Sequence, residues 1–106
     1  MKLVFSNCPV EVSKELAKSL VTQKLAACVN ISQPIQSIYV WEGDVCQEEE
    51  CTLIIKCAAE RVPDLLTALT AQHPYDVPEI LVVDVDLEHS HRPYVDWVRA
   101  ESAPIQ

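Results

Sequence analysis

A chain of 106 residues, 49% of them apolar and 23% charged, can build one hydrophobic core but not two, so a single unit over residues 1–106 is expected. Eight basic residues against sixteen acidic ones give a net charge of −8, with no Lys/Arg cluster to hold a phosphate backbone, which argues against nucleic acid as a partner. No run approaches the roughly 18 apolar residues of a membrane helix, and the opening stretch lacks the apolar region of about 7–15 residues of a secretory signal, so no membrane contact and a cytoplasmic location are expected.

Residues 2–7 read as a first strand, with Val4 and Phe5 as β-formers. Pro9 then punctuates the chain, and a helix starts between Val10 and Ser13. Its apolar stripe is Val12, Leu16, Leu20, Val21 and Leu25, and the small run LAAC (residues 25–28) is expected to close it. Residues 29–41 form a β-rich segment with a bend at Pro34. Gly43, the one glycine of the chain, is expected at positive φ in a hairpin turn with Glu42 and Asp44. The return strand covers residues 45–57. Glu48, Glu49 and Glu50 read as a solvated arm of it, followed by apolar Leu53, Ile54 and Ile55.

A second helix is predicted over residues 58–72, with Pro63 in its first turn and Val62, Leu65, Leu66 and Leu69 on its buried face. Then comes HPYDVPEI (residues 73–80), where each proline biases the residue before it, His73 and Val77, toward extended geometry. Residues 81–87 alternate as a half-buried strand with Asp84 and Asp86 on its polar side. Residues 92–98 close the chain as a helix packing Tyr94, Val95 and Val98. The five cysteines are odd in number and none forms a C-x-x-C pair, so they read as free and mostly buried.

This order of elements predicts an α+β ferredoxin-like sandwich: βαββαβ plus a C-terminal helix, with a long central hairpin. Its four-stranded antiparallel sheet carries two helices on one face. Both parities are apolar around Leu53–Ile55 and Ile80–Val83, so the second sheet face is expected to meet another copy of the chain.

The loop after the first strand, SNCPV (residues 6–10), holds one cysteine and no arginine. That excludes a dithiolate copper carrier and an arginine-clamped phosphatase. No Ser-His-Asp set, phosphate loop or H-E-x-x-H pattern occurs. His89 and His91 follow Asp84, Asp86 and Glu88 at an acidic strand end. Alternate carboxylates there would lie roughly 6–7 Å apart, loose for chelation, and an exposed polar end is the preferred reading.

Five stretches resemble the CutA family of divalent-cation tolerance proteins: KLAACVN (24–30), SIYVWEG (37–43), IIK (54–56), HPYDVPEI (73–80) and YVDW (94–97). They run through nearly the whole chain in the family's order. The resemblance implies a ferredoxin-like protomer in a PII-like homotrimer, a role in tolerance of copper and other divalent cations, no catalysis and no organic cofactor. It also implies that His73, Tyr75 and Glu79 share a cleft between subunits with Tyr39, Trp41, Glu42 and Lys56. Copper binding proposed in the family uses a strand-one cysteine and adjacent histidines before Pro-Tyr. Here those positions hold Phe5 and Gln72, with Cys8 out of register, so only His73 carries over as a copper ligand. His89 and His91 form a separate surface candidate. The leading expectation is a trimeric, cytoplasmic protein that binds copper or another divalent cation. The alternative is a PII-like regulatory module that senses a small molecule in the intersubunit cleft. An enzyme would have only His73 and Glu79 as an acid–base pair.

Overall fold

The computed structural model of the chain describes residues 1–104; the last two residues of the expected unit lie outside the described residues. The chain runs β1 (Lys2–Pro9), α1 (Ser13–Thr22), β2 (Cys28–Ile31), β3 (Ile35–Trp41), β4 (Asp44–Cys57), α2 (Val62–Gln72), β5 (Leu81–Asp84) and α3 (Arg92–Glu101). Short 3₁₀ turns, Val10–Val12 and Ala59–Arg61, lead into α1 and α2. The sheet order is β2-β4-β1-β5, with β3 paired to the far half of β4 and every pairing antiparallel. This is the ferredoxin-like βαββαβ order with an added C-terminal helix.

The predicted single strand over residues 29–41 is two strands, so the sheet has five members rather than four. Pro34 supplies no N–H to a ladder, and the chain is interrupted there. Ser32 anchors the break, its N–H donating to the Thr52 carbonyl (2.9 Å) and its Oγ accepting from the Thr52 N–H (2.8 Å). Both halves pair with the same neighbour, β2 with residues 53–56 and β3 with residues 44–50, which is why β4 runs for 14 residues. Trp41 lies opposite Asp44, leaving Glu42 and Gly43 as the turn. Both take positive φ, 50° and 85°, the pattern of the hairpin turn whose twist matches its strands. The positive φ expected at Gly43 is thus shared by Glu42.

Helix α1 stops at Thr22 instead of continuing to Cys28. Lys24 adopts φ 60°, its N–H donates to the Val21 carbonyl and the Leu25 N–H to that of Leu20, each at 3.0 Å. This is a Schellman ending, formed at a lysine rather than at the usual glycine. Leu25 and Ala26 then fold back into the core before β2 begins.

The core joins Val4 and Cys8 of β1, Leu53, Ile55 and Cys57 of β4, Leu16 and Leu20 of α1, and Leu65 and Leu69 of α2. All five cysteines are free, and Cys8, Cys51 and Cys57 are buried. Burial first, then the neighbouring Cys51, pushes the Cys8 thiol up to about 11, which marks it as a packing group. Helix α3 is anchored by Ser102, whose Oγ accepts from the Ala58 N–H at 2.8 Å and donates to the Val98 carbonyl at 2.6 Å.

Strand β5 differs from its expectation twice. All four of its residues are exposed, Leu81 at 57%, so the predicted half-burial is absent from the single chain. It also ends at Asp84 rather than at residue 87. Asp86 turns the chain by accepting the His89 N–H at 3.2 Å and a bond from Ser90 Oγ at its carbonyl, so Asp84 and Asp86 do not share a strand face.

Candidate functional site

Pro74 disfavours helical geometry in the residue before it, and α2 accordingly ends at His73, which is extended at φ −71°, ψ 135°. His73 is only 6% exposed. Its Nε2 lies 2.8 Å from the Asn7 carbonyl oxygen, and the Tyr75 N–H donates to Nδ1 at 3.2 Å. Nδ1 therefore accepts and Nε2 carries the proton it donates to Asn7. With both nitrogens engaged, His73 braces the connector against β1. It presents no free lone pair to a metal, and its ring nitrogens face Asn7 and Tyr75, not the carboxylate of Glu79.

Tyr75 follows from that brace. Its ring packs 4.8 Å from that of His73, and its hydroxyl donates to Glu50 Oε2 at 2.9 Å. Glu50 lies opposite Pro9 of β1 and Ile35 of β3 and is 6% exposed. The reading of residues 48–50 as one solvated arm is therefore corrected: Glu48 and Glu49 are exposed, and Glu50 is buried. The residue that covers it is 25 positions away, so no local pattern could disclose the burial.

Strand β3 and the connector border an open cleft of about 700 Å³ with Asn7 and Glu50 between them. Tyr39, Trp41 and Ile38 form the hairpin wall; Tyr75, Asp76, Val77 and Glu79 form the other. Burial first, then the charge of Glu50, holds the Glu79 carboxyl above the ordinary glutamate value. Burial first, then the hydrogen bond to Glu50, pushes the Tyr75 phenol well up. Tyr39 and Tyr75 also edge a second depression of about 400 Å³, which holds Glu11, Glu48 and Glu49.

Four of the seven predicted cleft residues, Tyr39, Trp41, Tyr75 and Glu79, are brought together here. Lys56 is elsewhere: its Nζ donates to Asn30 Oδ1 at 2.6 Å and stands 5.8 Å from the Tyr94 ring centroid, so no Lys56–Glu79 pair forms. Glu42 is taken by the hairpin turn. His73 lies behind the cavity wall. Glu50 and Asp76 are the acidic members that sequence reasoning missed.

The second candidate place is an exposed loop. His89 Nδ1 lies 2.9 Å from Asp86 Oδ2, while His91 precedes α3 and its carbonyl accepts the Val95 N–H at 3.1 Å. Among the described residues no three His, Cys, Asp or Glu side chains are grouped as a metal set, and no helix is long and apolar enough to cross a membrane.

Comparison with known proteins places these features in a family. The family described as CutA1 divalent ion tolerance protein matches residues 2–101. The divalent-cation tolerance protein CutA of Thermus thermophilus is 42% identical over 89 residues, 84% of each chain. Protein CutA of Homo sapiens is 41% identical over 96 residues, 90% of this chain. The chain spans about half, 52%, of the length of that human relative. Among solved structures, the PII-like protein CutA from Nostoc sp. PCC 7120 in apo form superposes with a TM-score of 0.93 at 39% identity, covering 96% of this chain and 97% of that one.

Proposed function

The chain belongs to the CutA1 divalent ion tolerance family, and from that premise we propose that it is a homotrimeric, non-catalytic cytoplasmic protein that confers tolerance by binding copper or another divalent cation. The observation that carries the reading is the acidic lining of the cleft by Glu50, Asp76 and Glu79, with no Lys or Arg among its described lining residues, although the three carboxylates are not grouped as a metal set in the single chain. The Glu79 carboxyl is already disfavoured in its ionised form by burial and by Glu50, and a cation between them would relieve that repulsion. His73 braces the connector in this reading, and Asp86 with His89 is the second place for an ion. The trimer is supported by the apolar surface left on the single chain, including Leu81, Val82 and Val83 on β5 and Ile38, Val40 and Val45 on the hairpin.

Native mass spectrometry with one equivalent of Cu(II) or Zn(II) per chain tests this. The expected result is a trimer that takes up a defined number of ions, fewer in Glu79→Gln if the cleft is the site and fewer in His89→Ala if the loop is. A metal-free trimer would refute the binding reading. A monomer would refute the assembly.

A second reading, a PII-like regulator that senses a small molecule in the cleft, is favoured by one specific observation. A cavity of about 700 Å³ walled by Tyr39, Trp41 and Tyr75 matches an organic ligand in size and lining. Ligand-induced thermal stabilisation that is lost in Trp41→Ala and indifferent to metal ions would select it.

A further inference from the structure

We propose that His73 is a proton-operated latch: protonation of its ring at Nδ1 breaks the tie to Tyr75 and releases residues 74–79, which carry Tyr75, Asp76 and Glu79 into the cleft wall. The inference holds for whichever ligand the cleft takes, and it rests on hydrogen bonds within one chain. A second copy seated on the cleft would bury the tie further without altering which ring nitrogen donates.

The first observation is the role of each nitrogen. Nε2 faces a carbonyl oxygen, that of Asn7 at 2.8 Å, and can only donate to it. Nδ1 faces an N–H, that of Tyr75 at 3.2 Å, and can only accept from it. The closed connector therefore requires a neutral ring in one tautomer. A proton from solvent would occupy the same Nδ1 lone pair that the Tyr75 N–H uses, leaving two N–H groups aimed at each other. The protonated ring and the closed connector exclude each other. Imidazole is also the side chain that ordinarily changes charge between about pH 5 and 8.

The second is how little else holds the connector. Residues 74–80 belong to no helix and no strand. Among the described residues, both of their hydrogen bonds are made by Tyr75, from its N–H to His73 and from its hydroxyl to Glu50 at 2.9 Å. Ile80 packs on the core at the far end, so the segment is pinned there by apolar contact and at its start by the ring. Loss of the N–H bond also frees the Tyr75 ring from its contact with His73, 4.8 Å between centroids, and with it the hydroxyl that covers Glu50.

The third is the charge around the ring. On β1 it meets the neutral Asn7 carbonyl, next to the Cys8 thiol, which lies opposite Cys51 of β4. Residues 69–72, the last turn of α2, are uncharged. Strand β4 brings Glu50, reached through Tyr75, and Tyr39 of β3, Asp76 and Glu79 border the same cleft. An imidazolium is attracted by such carboxylates, so the freed ring has partners for its charge.

The test is nuclear magnetic resonance of the full chain over about pH 8 to 5. Labelled histidine nitrogens report the charge and tautomer of each ring, and amide exchange reports the protection of the Tyr75 N–H. The expected result is an Nε2–H tautomer at His73 and a fall of about tenfold in Tyr75 protection, corrected for the intrinsic pH dependence of exchange, as His73 protonates. His89 and His91 are exposed and serve as rings whose protonation leaves Tyr75 unmoved. In His73→Gln, the side-chain amide can donate to Asn7 and accept from Tyr75 without titrating, so Tyr75 protection should stay level over the same range. Level protection while the wild-type His73 protonates would overturn the latch. So would an Nδ1–H tautomer, a ring that stays neutral until circular dichroism shows global unfolding, or a fall in His73→Gln equal to that of the wild type. No ligand enters the experiment, so failure of the latch and failure of the cation reading are told apart.

Discussion

Ser6 faces the core from β1 between Val4 and Cys8, and its hydroxyl is the one buried side-chain polar atom without a hydrogen-bond partner among the described residues. An unpaired buried hydroxyl has lost its water without replacement, so Ser6→Ala should raise the unfolding free energy by about 1 kcal/mol in urea titration. A loss of stability would show that the hydroxyl finds a partner. Two carboxyls set opposite pH signatures. Glu79 binds its proton more tightly in the folded chain than the ordinary value of 4.5. Stability it contributes in acid is therefore lost as pH rises from that value through its folded pKa. Asp84 is held below its ordinary value by the hydrogen bond and charge of Lys2, so its contribution is lost as pH falls through the folded pKa. Unfolding free energies of wild type and Glu79→Gln on both sides of the Glu79 transition should show the wild type losing ground to the variant as pH rises. A constant difference would show that Glu79 is unperturbed.

At the scale of elements, what the sequence disclosed was set by whether its cause lies nearby. The hairpin turn was legible because Gly43 is the lone glycine between two β-rich runs, and α2 because its apolar stripe and Pro63 agree. The end of α1 was not, because a lysine occupies the left-handed position where a glycine would have signalled a stop. Lys24→Gly should therefore stabilise the protein by about 1 kcal/mol through relief of that backbone strain, read as a higher melting temperature at unchanged secondary structure by circular dichroism. A lower melting temperature would mean that the lysine side chain contributes more than its φ costs. The shortened β5 was hidden because its continuation, apolar at residues 85 and 87, keeps strand alternation while Asp86 quietly recruits His89 and Ser90 into a turn. The cleft was half legible. Tyr39, Trp41, Tyr75 and Glu79 line it within the single chain, but Glu50 joins only because a distant tyrosine bends over it, and the Lys56 side chain is held by Asn30, its diagonal neighbour on β2.

For the whole molecule, the radius of gyration is 14.5 Å, against about 13 Å for a compact chain of this length. The excess fits the β3–β4 hairpin, whose Ile38, Val40 and Val45 are each more than two-thirds exposed. Strand β4 is unbroken across that change of surroundings: residues 50–57 lie against β1, and residues 44–49 pair only with β3 within the chain. Amide hydrogen exchange of the dilute single chain should therefore grade along one strand, slow from Thr52 to Cys57 at the rate of global unfolding and fast toward Asp44 by local opening. Uniform protection would refute such a gradient. Glu50, where the cleft meets the sheet, stands where the two regimes join. A ligand seated there would lengthen the lifetime of the hairpin's amides and leave those of the core alone, so that β4 works as a clock with a slow hand and a fast one, and the cleft sets only the fast one.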